Sequence, residues 1–227
     1  MKHAQAEDHF AVADAVAGAS RSGPYEAAGK RAFDVLFALA IAPFVAPVIL
    51  VLAALVSAGD GAAPFFGHNR VGRDGRAFRC WKIRTMVPDA QARLEAHLAR
   101  DAQAAEEWRL YRKLSDDPRI TRIGDFLRRT SLDELPQLWN VLRGEMSFVG
   151  PRPVMADELD DHYGPARAAY CASRPGITGL WQVSGRNELS YDERVALDVD
   201  YTERMTLGLD VWIILRTAAV ILRPTGR

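Results

Sequence analysis

The sequence is poor in the features that announce metal scaffolds, disulfide frameworks or ordinary nucleotide folds. Its 227 residues include two cysteines, Cys80 and Cys171, far apart and without CxxC or Cys/His ligand spacing. A structural zinc site or a disulfide scaffold is therefore disfavoured, and a reducing, cytosolic face fits best. Net charge is also missing: 29 Lys and Arg balance 29 Asp and Glu. Without a basic excess, nucleic acid is a poor partner. There is no P-loop, no GxGxxG in a strand-turn-helix setting, and no repeat of solenoid length. The length suits one domain with a real core.

What is present begins at Lys30. Residues 1–29 are rich in Ala, Gly, Ser and polar side chains with no sustained apolar face, and read as a flexible N-terminal tail. After Lys30 and Arg31, the stretch Val35 to Val56 carries no charged side chain. As a helix it would be about 33 Å long, enough to cross the hydrocarbon core of a bilayer. Pro43 and Pro47 fall in its middle, where each removes a backbone donor. Cationic residues crowd both ends: Lys30 and Arg31 before, and Arg70, Arg73, Arg76, Arg79, Lys82 and Arg84 after. Positive flanks prefer the cytoplasm, so a helix broken at the prolines, entering and leaving by one leaflet, satisfies both constraints. The rivals are a single-spanning anchor, a cleaved signal peptide and a buried core helix.

Beyond the apolar stretch, Ala63 to His68 and Ala77 to Ile83 read as a small strand pair joined by a turn over Val71 to Arg76. Pro88 opens a polar helix expected to reach about Leu114, with Leu94 and Leu98 on one face. A break at Ser115-Asp116-Asp117-Pro118 precedes a short helix around Ile123 to Arg129. The last apolar run, Val211 to Leu222, is too short to span, but Trp212 and flanking arginines suit a helix lying at a membrane interface.

The segment Leu127-Arg128-Arg129-Thr130-Ser131-Leu132-Asp133-Glu134-Leu135-Pro136 concentrates the chemistry. Ser131 and Glu134 have capping-box spacing, which predicts a helix starting there with Leu132, Leu135, Leu138, Trp139 and Leu142 as its apolar stripe and Gly144 as its stop. On a purely structural reading Asp133 and Glu134 serve that cap. The same geometry also suits a phosphate, because a helix start offers free amides and Arg128 and Arg129 add forked donors. Two carboxylates would repel a diphosphate unless a cation bridged them, and magnesium favours one or two carboxylates plus substrate phosphates. One carboxylate is then free to attack phosphorus. Arg152, fixed between Pro151 and Pro153, and Arg174, before an expected Pro-Gly turn, sit in similar arginine-bearing loops. Ser184-Gly185-Arg186-Asn187 follows a strand-like run.

These residues resemble the bacterial monotopic phosphoglycosyl transferases. The resemblance covers nearly everything from Lys30 to about Leu222. It runs through Lys30-Arg31-Ala32-Phe33-Asp34, the Pro-interrupted apolar stretch, Lys82-Ile83-Arg84-Thr85-Met86, Ser131-Leu132-Asp133-Glu134-Leu135, Ser147-Phe148-Val149-Gly150-Pro151-Arg152-Pro153, and Arg174-Pro175-Gly176-Ile177-Thr178-Gly179 with Gln182 and Gly185-Arg186. It implies a mostly α fold with a small β element: a re-entrant helix over 30–60 and a cytosolic or interfacial catalytic domain over 61–227. The activity implied is transfer of a sugar-1-phosphate from a UDP-sugar, galactose or glucose, to undecaprenyl phosphate, the first membrane step of exopolysaccharide synthesis. By motif, Asp133 is the nucleophile and Glu134 its partner. Both are expected to hold Mg2+, with Lys82, Arg84, Arg128, Arg152, Arg174 and Arg186 on substrate phosphates. The location implied is the cytoplasmic face of the bacterial inner membrane, and the partners are membrane lipid, a second copy in a homodimer and downstream glycosyltransferases. One departure is that Ala46, not the family's frequent Ser, precedes Pro47, so a hydroxyl that could satisfy a freed carbonyl is absent. The competing readings are a membrane phosphatase or nucleotidyltransferase using the same acidic pair, and a non-catalytic scaffold.

Overall fold

The computed structural model describes residues 25–111, 113–185 and 189–222. They are mostly helical, with two small two-stranded sheets. The chain divides into two compact units. One takes the residues up to Pro43, Gly67–Trp81 and everything from Gln137 onward; the other takes Phe44–Phe66 and Lys82–Pro136.

Helix α1, Lys30–Asp60, follows a short π-helical turn at Tyr25–Gly29. Its most apolar window has a mean hydropathy of 2.8, and only 11 % of that window is buried. A core helix of this length would be mostly covered, so the buried-core reading falls and a membrane location stands. Phe44, Leu36 and Leu50 are among its exposed side chains. The helix is assigned as one element through both prolines, which take the amide donors from the carbonyls of Leu39 and Pro43. The division between the two units falls directly after Pro43.

In the first unit, the base of α1 is fastened by its own charged residues. Lys30 is buried and donates to Asp210 Oδ2 at 2.6 Å, and the hydroxyls of Tyr25 and Tyr201 donate to the same carboxylate. Arg31 donates to the carbonyls of Val141 and Leu142 at 2.5 and 2.8 Å. These are C-terminal carbonyls of α5, counting α2 to α4 as the helices of the second unit described below; α5 is Gln137–Arg143, and its orphan acceptors suit a cation. Asp34 accepts from the Ser147 hydroxyl and the Phe148 amide.

Strands β1 (Phe65–Val71) and β2 (Ala77–Ile83) form the expected hairpin. Strands β3 (Ser147–Val149) and β4 (Gly176–Thr178) pair in parallel, Ser147 opposite Gly176 and Val149 opposite Thr178. The Pro-Gly turn expected at Pro175-Gly176 is thus the start of a strand. Glycine is needed there for close approach: a Cβ on Gly176 would meet the Gly150 nitrogen at 2.2 Å. Helices α6 (Ala156–His162), α7 (Arg167–Ala172), α8 (Leu180–Ser184), α9 (Tyr191–Glu203) and α10 (Leu207–Leu222) complete the unit. The strand-like run before Gly185 is the helix α8. The core gathers Val71, Val154, Leu159, Tyr163, Tyr170 and Val195. Helix α10 buries Leu209 and Ile213 and leaves Leu207, Val211 and Leu215 exposed, an apolar outer stripe with Arg216 stacked on Trp212.

In the second unit, the single polar helix expected from Pro88 to Leu114 is two helices, α2 (Ala90–Arg100) and α3 (Ala102–Tyr111). Asp101 separates them because its carboxylate accepts from the amides of Gln103 and Ala104 at 2.9 and 3.0 Å, a new N-cap. Leu94, Ala104 and Leu114 pack together there, with Leu98 and Trp108 against them. Helix α4, Arg122–Thr130, starts where Thr121 accepts from the Gly124 amide. Leu52 and Val56 of α1 pack with Ile83 and Leu127, joined by Ile123, Leu132 and Leu135.

Candidate active site

The candidate site in the second unit is built where β2 runs out beside α4. The Thr121 amide donates to the Thr85 carbonyl at 3.1 Å. A Cβ on Gly124 would stand 2.0 Å from that oxygen, so only glycine lets α4 approach this backbone. The approach places Lys82 and Thr85 along the helix that carries Arg128.

Helix α4 ends at Ser131, which adopts the left-handed conformation at φ 57°. Its amide donates back to the Arg128 carbonyl, and a single turn of 3-10 helix, Leu132–Glu134, follows. This corrects the capping-box expectation. Ser131 caps the end of one helix, its side chain makes no N-cap bond, and regular α-helix resumes only at Gln137. Without the box, Glu134 turns to Lys82. The apolar stripe is corrected as well, because Trp139 is exposed while Leu138 and Val141 are buried. Gly144, at φ 78°, does close the helix.

Three side chains converge. Lys82 Nζ lies 2.6 Å from Glu134 Oε1 and 3.8 Å from Asp133 Oδ2. Asp133 is buried, whereas Glu134 and Lys82 are part-exposed. Burial pushes the Asp133 carboxyl above its ordinary value, Lys82 and Arg128 pull it down, and Glu134 pushes it up again. Arg128, on the exposed side of α4, donates through Nε to the Thr85 hydroxyl at 2.9 Å.

The other arginines fall in different settings. Arg84 grips Asp60 with both terminal nitrogens, at 2.7 and 2.6 Å, and gives Nε to the Ala63 carbonyl. It is a clasp holding the end of α1. Arg174 donates to the Gly144 carbonyl at 2.8 Å, and burial lowers its pKa. Arg152 lines a cleft in the first unit with Asp198, Tyr163, Tyr191, Trp181 and Arg194, a group whose positions share no spacing that would reveal it. Arg186 lies outside the described residues.

Among the described residues no cluster of three or more His, Cys, Asp or Glu could hold a metal. The pair Asp133 and Glu134 nonetheless fits magnesium, which takes one or two carboxylates and fills its remaining positions with water and substrate phosphate. The Lys82 ammonium between the two carboxylates shows that the spot attracts a cation.

The chain belongs to the bacterial sugar transferase family, whose model matches residues 25–224. It is 51 % identical over 197 residues to the UDP-galactose-lipid carrier transferase of Erwinia amylovora, across 87 % of this chain and 41 % of that protein. It is 46 % identical over 203 residues to the exopolysaccharide production protein ExoY of Sinorhizobium fredii, across 89 % of each. The undecaprenyl-phosphate galactose phosphotransferase of Salmonella typhimurium is 48 % identical over 197 residues, again with 41 % of its length covered. The chain therefore spans under half of the Erwinia and Salmonella relatives and nearly all of ExoY.

Proposed function

We propose that the protein transfers a sugar-1-phosphate from a UDP-sugar to undecaprenyl phosphate, as an initiating step of exopolysaccharide assembly. The observation that carries this reading is the pairing of Asp133 and Glu134 with Lys82 in a unit joined to a membrane helix. The names of relatives supply the substrate class: a UDP-galactose-lipid carrier transferase, an undecaprenyl-phosphate galactose phosphotransferase and a UDP-glucose:undecaprenyl-phosphate glucose-1-phosphate transferase.

In this reading the Asp133 carboxylate attacks the sugar-bearing phosphorus of the UDP-sugar. An oxygen-phosphorus bond forms to Asp133, the bond between the two phosphates breaks, and UMP leaves. A phosphate oxygen of undecaprenyl phosphate then attacks the same phosphorus and breaks the acyl-phosphate bond. The products are undecaprenyl-diphosphate-sugar and a regenerated Asp133. Lys82, held at Glu134, keeps a positive charge beside the attacking carboxylate and against the incoming phosphates. Arg128, braced on Thr85, supplies a forked donor from the same helix end. A magnesium ion held by Asp133 and Glu134 would neutralise diphosphate charge and favour UMP as leaving group.

The membrane helix is read as re-entrant. Its N-terminal end is tied to folded chain by Lys30, Arg31 and Asp34, its C-terminal end by Asp60 to Arg84, and two prolines interrupt its bonding between. Cationic residues flanking both ends, with the two prolines between, support entry and exit by the cytoplasmic leaflet of the inner membrane. Labelled UDP-galactose and UDP-glucose, supplied singly with undecaprenyl phosphate and membranes holding the protein, test the reading. Label should enter a lipid-extractable diphosphate; release of free sugar phosphate or sugar alone would point instead to a phosphatase.

A further inference from the structure

Helix α10 is apolar on opposite sides, and only one of them is covered. Leu209 and Ile213 are buried against the first unit, and the Thr217 hydroxyl meets that of Thr178 on β4 at 2.7 Å. The other side carries Leu207, Val211 and Leu215, four residues apart and so on one stripe, which are 47, 40 and 64 % exposed. The remaining exposed positions among the described residues of the helix are Gly208, Ala218 and Ala219. A surface helix of a water-soluble unit turns charged or polar side chains outward, whereas a helix apolar all round belongs in a core or in a bilayer.

Three observations identify what covers the outer stripe. First, α10 starts at the foot of the membrane helix. Asp210, in its first turn, accepts from Lys30 at 2.6 Å and from Tyr25, and in the same unit α1 exposes Leu36 and Leu39. Second, Trp212 sits next to the stripe with the Arg216 guanidinium 5.5 Å from its ring centre. An indole and a long-stemmed cation are side chains that settle at headgroup depth. Third, the local charge has one sign: Arg216, Arg223 and Arg227 follow Asp210, and no acidic residue does. A second copy of the chain fits this face worse. A two-fold contact sets a patch against itself, which would bring Arg216, the neighbour of Leu215, up to its own copy. A layer of anionic headgroups takes the same cations favourably.

We propose that α10 is a second membrane contact, lying along an anionic lipid surface with Leu207, Val211 and Leu215 among the outer acyl carbons and Trp212 and Arg216 among the phosphates. Helix α1 already keeps the chain at the membrane; the contact at α10 fixes which side of the first unit meets the headgroups. It asks nothing of the chemistry at Asp133.

Because α1 retains the chain in any bilayer, the test reads α10 locally. Val211→Cys and Leu215→Cys are made singly in a Cys171→Ser background, Cys80 being buried, and labelled with acrylodan. The full chain is placed one per nanodisc in phosphatidylglycerol, and melting is recorded for each variant, with values near the parent's expected at these exposed positions. Quenching by lipids with a doxyl group on the acyl chain is compared with quenching by acrylamide from the water side. The expected result is a twofold or greater loss of emission with doxyl lipid at both positions, little effect of acrylamide, and at most half that doxyl quenching in phosphatidylcholine discs. Strong acrylamide quenching without a doxyl effect would overturn the proposal and leave the stripe in water. Shielding from both quenchers that appears only when two chains share a disc would overturn it in favour of a second copy. Equal doxyl quenching in the two lipids would overturn the anionic assignment. None of these readings depends on sugar transfer, so a chain inactive on every UDP-sugar would sink the transferase reading and leave this one standing.

Discussion

Two buried carboxylates in this molecule are treated in opposite ways. At the base of α1, Asp210 is fully enclosed and fully partnered, accepting from Lys30 and from two tyrosine hydroxyls. Beside α4, Asp133 is buried too, yet its nearest lysine stands 3.8 Å away, beyond hydrogen-bond reach, and bonds Glu134 instead. The first arrangement spends every donor on holding the chain together. The second leaves a desolvated carboxylate near two cations, Lys82 and Arg128, that are hydrogen-bonded to other partners. Burial alone therefore does not mark a functional acid; burial with incomplete pairing does.

The contrast is broken most sharply by one isosteric change at each place. Asp133→Asn should lower turnover by a thousandfold or more while leaving melting unchanged or slightly raised, since a desolvated charge is removed. Asp210→Asn should do the reverse, destabilising by roughly 3–5 kcal/mol because Lys30 is left buried without its counter-ion. Denaturant unfolding beside a turnover assay checks both. Equal stability losses in the two variants would erase the distinction.

A third carboxylate sharpens the comparison through pH. Burial pushes Asp198 up to about 7, against the opposing pull of the Tyr163 hydroxyl and of Arg152. Its folded value is raised above that in the unfolded chain, so the folded state holds the extra proton between about pH 4 and 7. This group therefore costs stability progressively as pH rises through that window. Between pH 5 and 8 the parent should lose up to about 3 kcal/mol more than Asp198→Asn, as read from unfolding curves. Parallel pH profiles for the two proteins would show that Asp198 ionises as an ordinary carboxylate does.

The smallest effect concerns Ser131. Its left-handed backbone favours glycine, so Ser131→Gly should hold or raise stability by up to about 1 kcal/mol. A capping serine replaced by alanine and by glycine would instead lose stability in both cases, most with alanine. Melting curves for the pair of variants decide it.

Much of the fold was legible from the chain itself. The apolar helix, the β1–β2 hairpin and α4 follow from composition and spacing that act locally. The Asp133-Glu134 pair and Arg128 also come from one short segment. What escaped depends on contacts distant in sequence or on single side chains competing for amides. Asp101 splits a helix because its carboxylate captures two amides, a choice hidden inside an otherwise helical run. Ser131 and Glu134 have the spacing of a cap, but the approach of Lys82 offers Glu134 a stronger partner. Lys30 and Arg31 read as membrane-flanking charges, whereas the fold turns both inward, onto Asp210 and onto the end of α5. The Asp198 cleft draws on residues spread from 152 to 198 with no periodicity to join them.

The central claim is that Asp133 forms a covalent bond to phosphorus, and label exchange tests it most directly. Purified protein, UDP-sugar and radiolabelled UMP are incubated with magnesium and without any lipid acceptor, and label in the UDP-sugar is measured. The account predicts exchange by the parent and by Trp139→Ala, whose side chain is exposed, and none by Asp133→Asn. A parent that makes lipid-linked product efficiently yet exchanges no UMP would contradict it, and would leave Asp133 and Glu134 as ligands for direct attack by the lipid phosphate.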